Sequence, residues 1–369
     1  MDIVAHKKFL KRILYVLPEA FEELEASRLT LLFFVLSGLD ILDEIDSLSD
    51  EVKTKLVDWI YSLQITCKSG EDTNLSGFEG TFMMSGQQVK RCNSPGDVSR
   101  TSTLDSTCLQ EYSSLQSTST SHLVMTYSAL VSLAILGDDF GRLNHRSILR
   151  NVQKCQLMDG SFQANPMGSE NDMRFVFCAV AICYILDDFS PLNVESLLSF
   201  MKSCLVSGSS FTRGSTYCAA AALTLLNQLD EFLNSRQRSK LLRWCVMKQD
   251  NGFHGRPNKP DDSCYTFWIG ATLRILNAIQ LVDRDAVTSF TLSTQDENVG
   301  GFGKFFDSLP DALHTYLSLS GLALLDYPGL QPVFAPLNVT VRTSDRISWL
   351  RKARSNGLPV VWNYGCAEF

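Results

Sequence analysis

Apolar positions along this chain alternate between two kinds of segment. Over 174–186, 215–226, 264–276 and 312–325 nearly every residue is apolar or small, with no coherent polar face. Between them, 194–204, 235–247 and 284–294 place apolar residues on one helical face and charged residues on the other. A helix that is apolar all round must be enclosed by protein, whereas a one-faced helix lies at a surface. The alternation predicts an inner and an outer helical layer. Segments 28–42, 50–63 and 122–136 fit the same scheme.

A short signature precedes each inner segment: Gln, an acidic residue or its amide, Gly, then Phe. It occurs as Gln156, Asp159, Gly160 and Phe162, as Gln249, Asp250, Asn251, Gly252 and Phe253, and as Gln295, Asp296, Gly300, Gly301 and Phe302. Gly208 to Phe211 is a weak copy, so the closing phenylalanines recur every ~42 to 49 residues, room for two helices and two loops. The expected fold class is all-α, an α/α barrel (toroid) built from helical-hairpin repeats. Those repeats fall at about 145–187, 194–228, 235–278 and 284–326 within one domain spanning 1–369. An open solenoid would use the same repeat, so closure into a ring is an inference from pattern. Residues 92–121, rich in Ser and Thr and without periodicity, read as a flexible insertion.

Composition narrows the function classes. With 45% hydrophobic residues among 369, the chain can bury a large core, and a formal charge of −7 argues against nucleic-acid binding. The longest apolar run, near 29–36, is too short for a membrane span, and the N-terminus lacks the order of a signal peptide. Eleven scattered cysteines, several inside apolar segments, read as buried free thiols in a reducing, cytoplasmic setting.

The densest polar constellation runs from His254 to Tyr265, just before an apolar helix. Zinc takes Cys, His and carboxylate ligands, and a catalytic site uses three of them with one position open. Asp262 and Cys264 supply two candidates, and His314, about 50 residues on and near one repeat away, supplies a third. The same residues also read as a helix N-cap, a small buried hydrophobe and an ordinary half-buried imidazole.

Longer strings carry a family resemblance. Gly255-Arg-Pro-Asn-Lys-Pro, Asp262-Ser-Cys-Tyr-Thr-Phe-Trp and Pro310-Asp-Ala-Leu-His-Thr-Tyr resemble the beta subunits of protein prenyltransferases. So do Ser27-Arg-Leu-Thr-Leu, Ser169-Glu-Asn-Asp-Met-Arg-Phe-Val and Leu337-Asn-Val-Thr-Val-Arg-Thr-Ser. From about residue 10 to 350 the resemblance is to the type I geranylgeranyl enzymes in particular. It implies an α/α barrel paired with a separate alpha subunit, acting on geranylgeranyl diphosphate and on CaaX-terminated proteins such as small GTPases. It implies one zinc on Asp262, Cys264 and His314, which holds the CaaX cysteine as a thiolate.

The same resemblance assigns Arg256, Pro257, Asn258, Lys259 and Tyr265 to diphosphate or isoprenoid binding, together with Thr266, Phe267, Trp268 and Arg174. Thr30 matches a tryptophan of the farnesyl enzymes and implies room for a longer isoprenoid. Lys304 matches an aspartate that holds magnesium in those enzymes, so zinc without magnesium is expected. His122, Val124, Phe175 and Leu313 match the pocket for the last CaaX residue, with Leu or Phe expected there. Thr212, Arg213 and Gly214 lie in a loop shorter than the family's, with Thr212 where a histidine belongs. The alternatives are a farnesyl or Rab geranylgeranyl beta subunit, or a non-catalytic helical scaffold. A terpene cyclase is more distant, since only Asp261-Asp262 stands for its longer acidic motif.

Overall fold

The computed structural model describes residues 1–16, 26–65, 76–81, 121–206, 210–211 and 216–355. Nearly all of the insertion expected at 92–121 lies outside them, as do Thr212, Arg213 and Gly214. Helices in chain order are α1 (Ile3–Tyr15), α2 (Arg28–Ile41), α3 (Asp50–Ser62), α4 (Leu123–Leu136), α5 (His145–Cys155) and α6 (Met173–Leu186). They continue as α7 (Val194–Ser203), α8 (Thr216–Leu225), α9 (Ser235–Val246), α10 (Tyr265–Ile275), α11 (Arg284–Ser293), α12 (Ala312–Leu324) and α13 (Val341–Ser355).

The two layers follow from burial. In α6 the apolar residues are buried on every side, whereas α9 buries only Leu241 and Cys245 and exposes its charges. The inner helices α2, α4, α6, α8, α10 and α12 pack each on the next, and α12 packs back on α2. The ring is closed, and the fold is an α/α toroid. Helix α1, which the sequence pattern did not flag, packs on α2 and α12 and completes the outer layer.

The recurring glutamine has a structural job. Gln156 donates to the carbonyl of Asn193 and accepts from its N–H, and Asn193 caps α7. Gln249 makes the same pair with Asp283, the cap of α11. Gln64 accepts from the N–H of Asn144, the cap of α5. Gln295 accepts from the N–H of Asp2, the cap of α1, so the last repeat treats the first helix as its successor. Each signature loop also buries its phenylalanine completely: Phe162, Phe253 and Phe302 are all at 0% exposure.

Every inner helix ends on a residue with positive φ: Asp43, Gly137, Asp187, Asn227, Asn277 and Asp326. These are the residue types that tolerate the left-handed conformation needed to turn a chain off a helix end. Helix α13 then crosses that end of the ring. Arg346 donates to the carbonyl of Gly137, Arg354 to Leu186, and Arg351 pairs with Asp187 at 2.7 Å. Cations against helix C-termini complement the negative end of each helix dipole. The turn just before α13 also accepts hydroxyls from inside the ring: Tyr217 donates to Ala335, Tyr127 to Leu337 and Tyr316 to Asn338. One end of the toroid is thereby closed, and chemistry is left to the N-terminal ends of the inner helices.

Candidate active site

Each inner helix contributes one aromatic ring to the same level of the interior: Phe33, Tyr127, Phe177, Tyr217, Phe267 and Tyr316. Neighbouring rings meet at centroid separations of 4.9 to 5.5 Å for Phe33–Tyr127, Phe33–Tyr316, Tyr127–Phe177 and Tyr217–Phe267, mostly edge to face. Phe177 and Tyr217 meet at 5.7 Å. Trp268 adds to it by packing on Tyr217 and Phe267. The belt packs the middle of the ring, with none of its six members more than 7% exposed.

At the open end, α10 and α12 begin side by side. Ser263 fastens their entry loops together: its N–H donates to Lys304 O at 3.1 Å and its hydroxyl to Gly303 O at 2.7 Å. The hydroxyl is buried, and although Ser263 stands inside the motif at 262–268, the sequence assigned it no role. That contact sets Asp262 and Cys264, ahead of α10, against His314 in the first turn of α12. One ligand atom from each lies within 4.8 Å of the others.

Asp311 orients the histidine. As N-cap of α12 it accepts the His314 N–H at 2.8 Å, and its second oxygen takes Nδ1 at 2.6 Å. Nε2 is left facing Asp262 at 3.5 Å. The sequence pattern did not single out Asp311; an Asp three residues before a candidate ligand at a helix start is the signal that could have found it. Burial alone would raise the Asp262 carboxyl, but hydrogen bonds from His314 and Cys264 reverse that and hold it low. Burial pushes the Cys264 thiol far up, and the Asp262 charge adds to this. Burial would lower His314, yet its bonds to Asp262 and Asp311 prevail and raise it to about 9.

Beside this trio a cavity is lined by Gly255, Arg256, Lys259, Asp262, Tyr265 and Lys304. Lys304 Nζ stands 3.7 Å from Asp262. Pro257 and Asn258 shape this cationic loop. Asn258 has φ of +62°, and the Lys259 N–H returns to Arg256 O, a turn with proline leading and a left-handed residue following. Gly255 is obligatory, since a Cβ there would lie 2.1 Å from the Tyr265 ring.

Several other expected positions separate from this cluster. Thr266 is a correction: its hydroxyl pairs with Thr291 of the outer helix α11 at 2.9 Å, so it fastens the two layers and does not line the cavity. Arg174 is engaged by Asp172 and Glu170. His122 caps α4 through Nδ1 and meets Phe175 edge-on at 5.8 Å, with Val124 in the same turn. Leu313 lies on α12, which is not a direct neighbour of α4 or α6 in the ring. Thr30 donates to Met125 Sδ at 3.2 Å, bridging α2 and α4.

Comparison with known proteins converges on one group. The family model for the prenyltransferase alpha-alpha toroid domain matches residues 1–339. The chain is 38% identical over 357 residues to the geranylgeranyl transferase type-1 subunit beta of Dictyostelium discoideum, covering 94% of this chain and 96% of that one. It is 35% identical to the subunit of the same name from Arabidopsis thaliana, covering 90% and 88%. The structure superimposes on Candida albicans protein geranylgeranyltransferase-I, solved with GGPP, at a TM-score of 0.78 over 95% of this chain and 99% of that chain; at 23% identity this speaks to fold.

Proposed function

The chain belongs to the prenyltransferase alpha-alpha toroid family, among the beta subunits of type-1 geranylgeranyl transferases, and we propose how it acts. Paired with a separate alpha subunit, it transfers geranylgeranyl from its diphosphate to the cysteine of a C-terminal CaaX sequence. The observation that carries this reading is the meeting, at the mouth of an aromatic-lined ring, of Asp262, Cys264 and His314 with Arg256, Lys259, Tyr265 and Lys304.

The donor set of one carboxylate, one thiol and one imidazole, with Asp311 leaving Nε2 turned inward, fits zinc with a position to spare. Bound there, zinc would keep a substrate thiol in its nucleophilic thiolate form at neutral pH. The remaining work falls to the chain's own groups. Burial of the hydrocarbon tail against the apolar inner helices contributes about 0.8 kcal/mol per methylene-sized group. As the substrate sulfur bonds to C1, the C1–O bond breaks and diphosphate departs with growing negative charge. Arg256, Lys259 and Lys304 place cations where that charge develops, and Tyr265 adds a hydroxyl donor. Lys304 fills the role that a magnesium ion would otherwise take. The apolar surroundings of His122, Val124 and Phe175 favour Leu or Phe at the last CaaX position.

Among the described residues, no helix is long and apolar enough to cross a membrane. The test is co-expression with an alpha subunit, then assay with farnesyl and geranylgeranyl diphosphates and with CaaX peptides ending in Leu or Ser. Zinc-dependent transfer of geranylgeranyl, faster to the Leu peptide, is expected. A zinc-loaded heterodimer that transfers neither group overturns the proposal.

A further inference from the structure

A second group of metal-type ligands lies behind the cationic loop. Asp250, His254 and Asp261 each bring one ligand atom within 4.8 Å of the other two. His254 Nδ1 stands 3.3 Å from Asp250 Oδ2 and 3.4 Å from Asp261 Oδ1. Neither distance is made as a hydrogen bond. His254 Nδ1 and Asp261 Oδ1 are both buried and both lack a hydrogen-bond partner. The Asp261 side chain is only 9% exposed, so this oxygen is shielded from bulk solvent, a costly arrangement if nothing fills the gap.

The backbone fixes the oxygen there. Asp261 Oδ2 accepts from the N–H groups of Asn251 at 3.1 Å and Gly252 at 2.7 Å, which aims Oδ1 at the imidazole. His254 is in turn held by its own N–H, bonded to Lys248 O at 3.0 Å. Two ligands bound about 2.0–2.1 Å from one ion at a tetrahedral angle are roughly 3.4 Å apart. The two measured separations match that edge.

We propose that Asp250, His254 and Asp261 bind a divalent ion of the zinc type, at a site separate from Asp262, Cys264 and His314. Two carboxylates and one imidazole suit zinc, cobalt or their first-row neighbours, whereas magnesium and calcium call for six or more oxygens. The pair of carboxylates also neutralises the ion's charge. Because Asp250 is exposed, the ion exchanges with solvent, and the site binds more weakly than the buried trio. An ion in this place clasps the turn after α9 to the residue preceding Asp262, spanning the loop that carries Arg256 and Lys259. Its binding does not depend on the catalytic reading.

The experiment is cobalt titration of the metal-stripped heterodimer, followed by equilibrium dialysis and visible absorption. Two bound ions are expected, one with thiolate-to-cobalt charge transfer and one with weak ligand-field bands alone. Cys264→Ser should abolish the charge transfer and leave the second ion. Asp250→Asn and Asp261→Asn should each remove the second ion and leave the charge transfer intact. Asp261 also holds the turn, so Asp250, at the surface, provides the variant that does not disturb folding. Saturation of the wild type at one ion, or two ions retained by Asp250→Asn, overturns the proposal and identifies the cluster as a plain ion pair.

Discussion

Asp311 holds His314 twice, with one carboxylate oxygen on the backbone N–H at 2.8 Å and the other on Nδ1 at 2.6 Å. The helix cap and the ring orientation are therefore a single device. It favours the tautomer with the proton on Nδ1 and leaves Nε2 for the proposed zinc. Replacing Asp311 by Ala should weaken zinc binding by about 10- to 100-fold, as losing such a supporting partner does elsewhere. Competition against a chromogenic chelator measures it. Unchanged affinity would show that α12 alone positions the imidazole.

Isoprenoid length should depend on Thr30. It meets Met125 across the α2–α4 contact, so a larger side chain must displace the thioether or fill the interior. Thr30→Trp should shift preference from geranylgeranyl toward farnesyl diphosphate. One isoprene unit is several methylene-equivalents of burial, each about 0.8 kcal/mol, so the change should reach orders of magnitude in the ratio of kcat/KM values. An unchanged ratio would place Thr30 outside the lipid's path.

Charge on the leaving group makes Lys304 the next test. Its ammonium is 3.7 Å from Asp262, in the cavity that holds Arg256 and Lys259. Lys304→Ala should lower kcat by roughly 10²- to 10³-fold, the usual cost of removing one preorganised group from a developing anion. Millimolar magnesium should not stimulate the wild type. Strong stimulation would mean that the lysine does not replace the ion.

Acid should loosen the closure of the ring at His6. Its Nδ1 accepts the Gly301 N–H at 2.9 Å, its Nε2 meets Gln295 at 3.1 Å, and its ring stacks on Phe302 at 4.5 Å. Burial lowers its pKa from 6.5 to about 4, so the folded state favours the neutral ring. The stability this contributes is complete above pH 6.5 and disappears as pH falls toward 4, an effect of up to about 3 kcal/mol. His6→Leu should melt several degrees below the wild type at pH 7.5, and the gap should narrow as pH falls. A gap that does not change with pH would remove protonation of His6 from the account.

Local pattern made much of this legible. Helices fully apolar around their circumference can only be enclosed, and one-faced helices can only cover them, so the two layers were written in the composition of each segment. The candidate metal trio was legible for a related reason: Cys264 and His314 occupy the same place in successive repeats, so any stacking of those repeats brings them together. Other features depend on contacts between separate elements, some hundreds of positions apart, which local pattern does not contain. The pattern could not distinguish a ring from a solenoid; Gln295 on Asp2 and α12 on α2 decided that. Nor could it say which way Thr266 faces on a helix apolar all round, where every direction looks alike until a neighbour such as Thr291 supplies a hydroxyl. Helix α13 shows the same limit. Nothing in the sequence around its arginines assigns them a partner; the folded ring presents the carbonyl ends of α4 and α6 for them to cap.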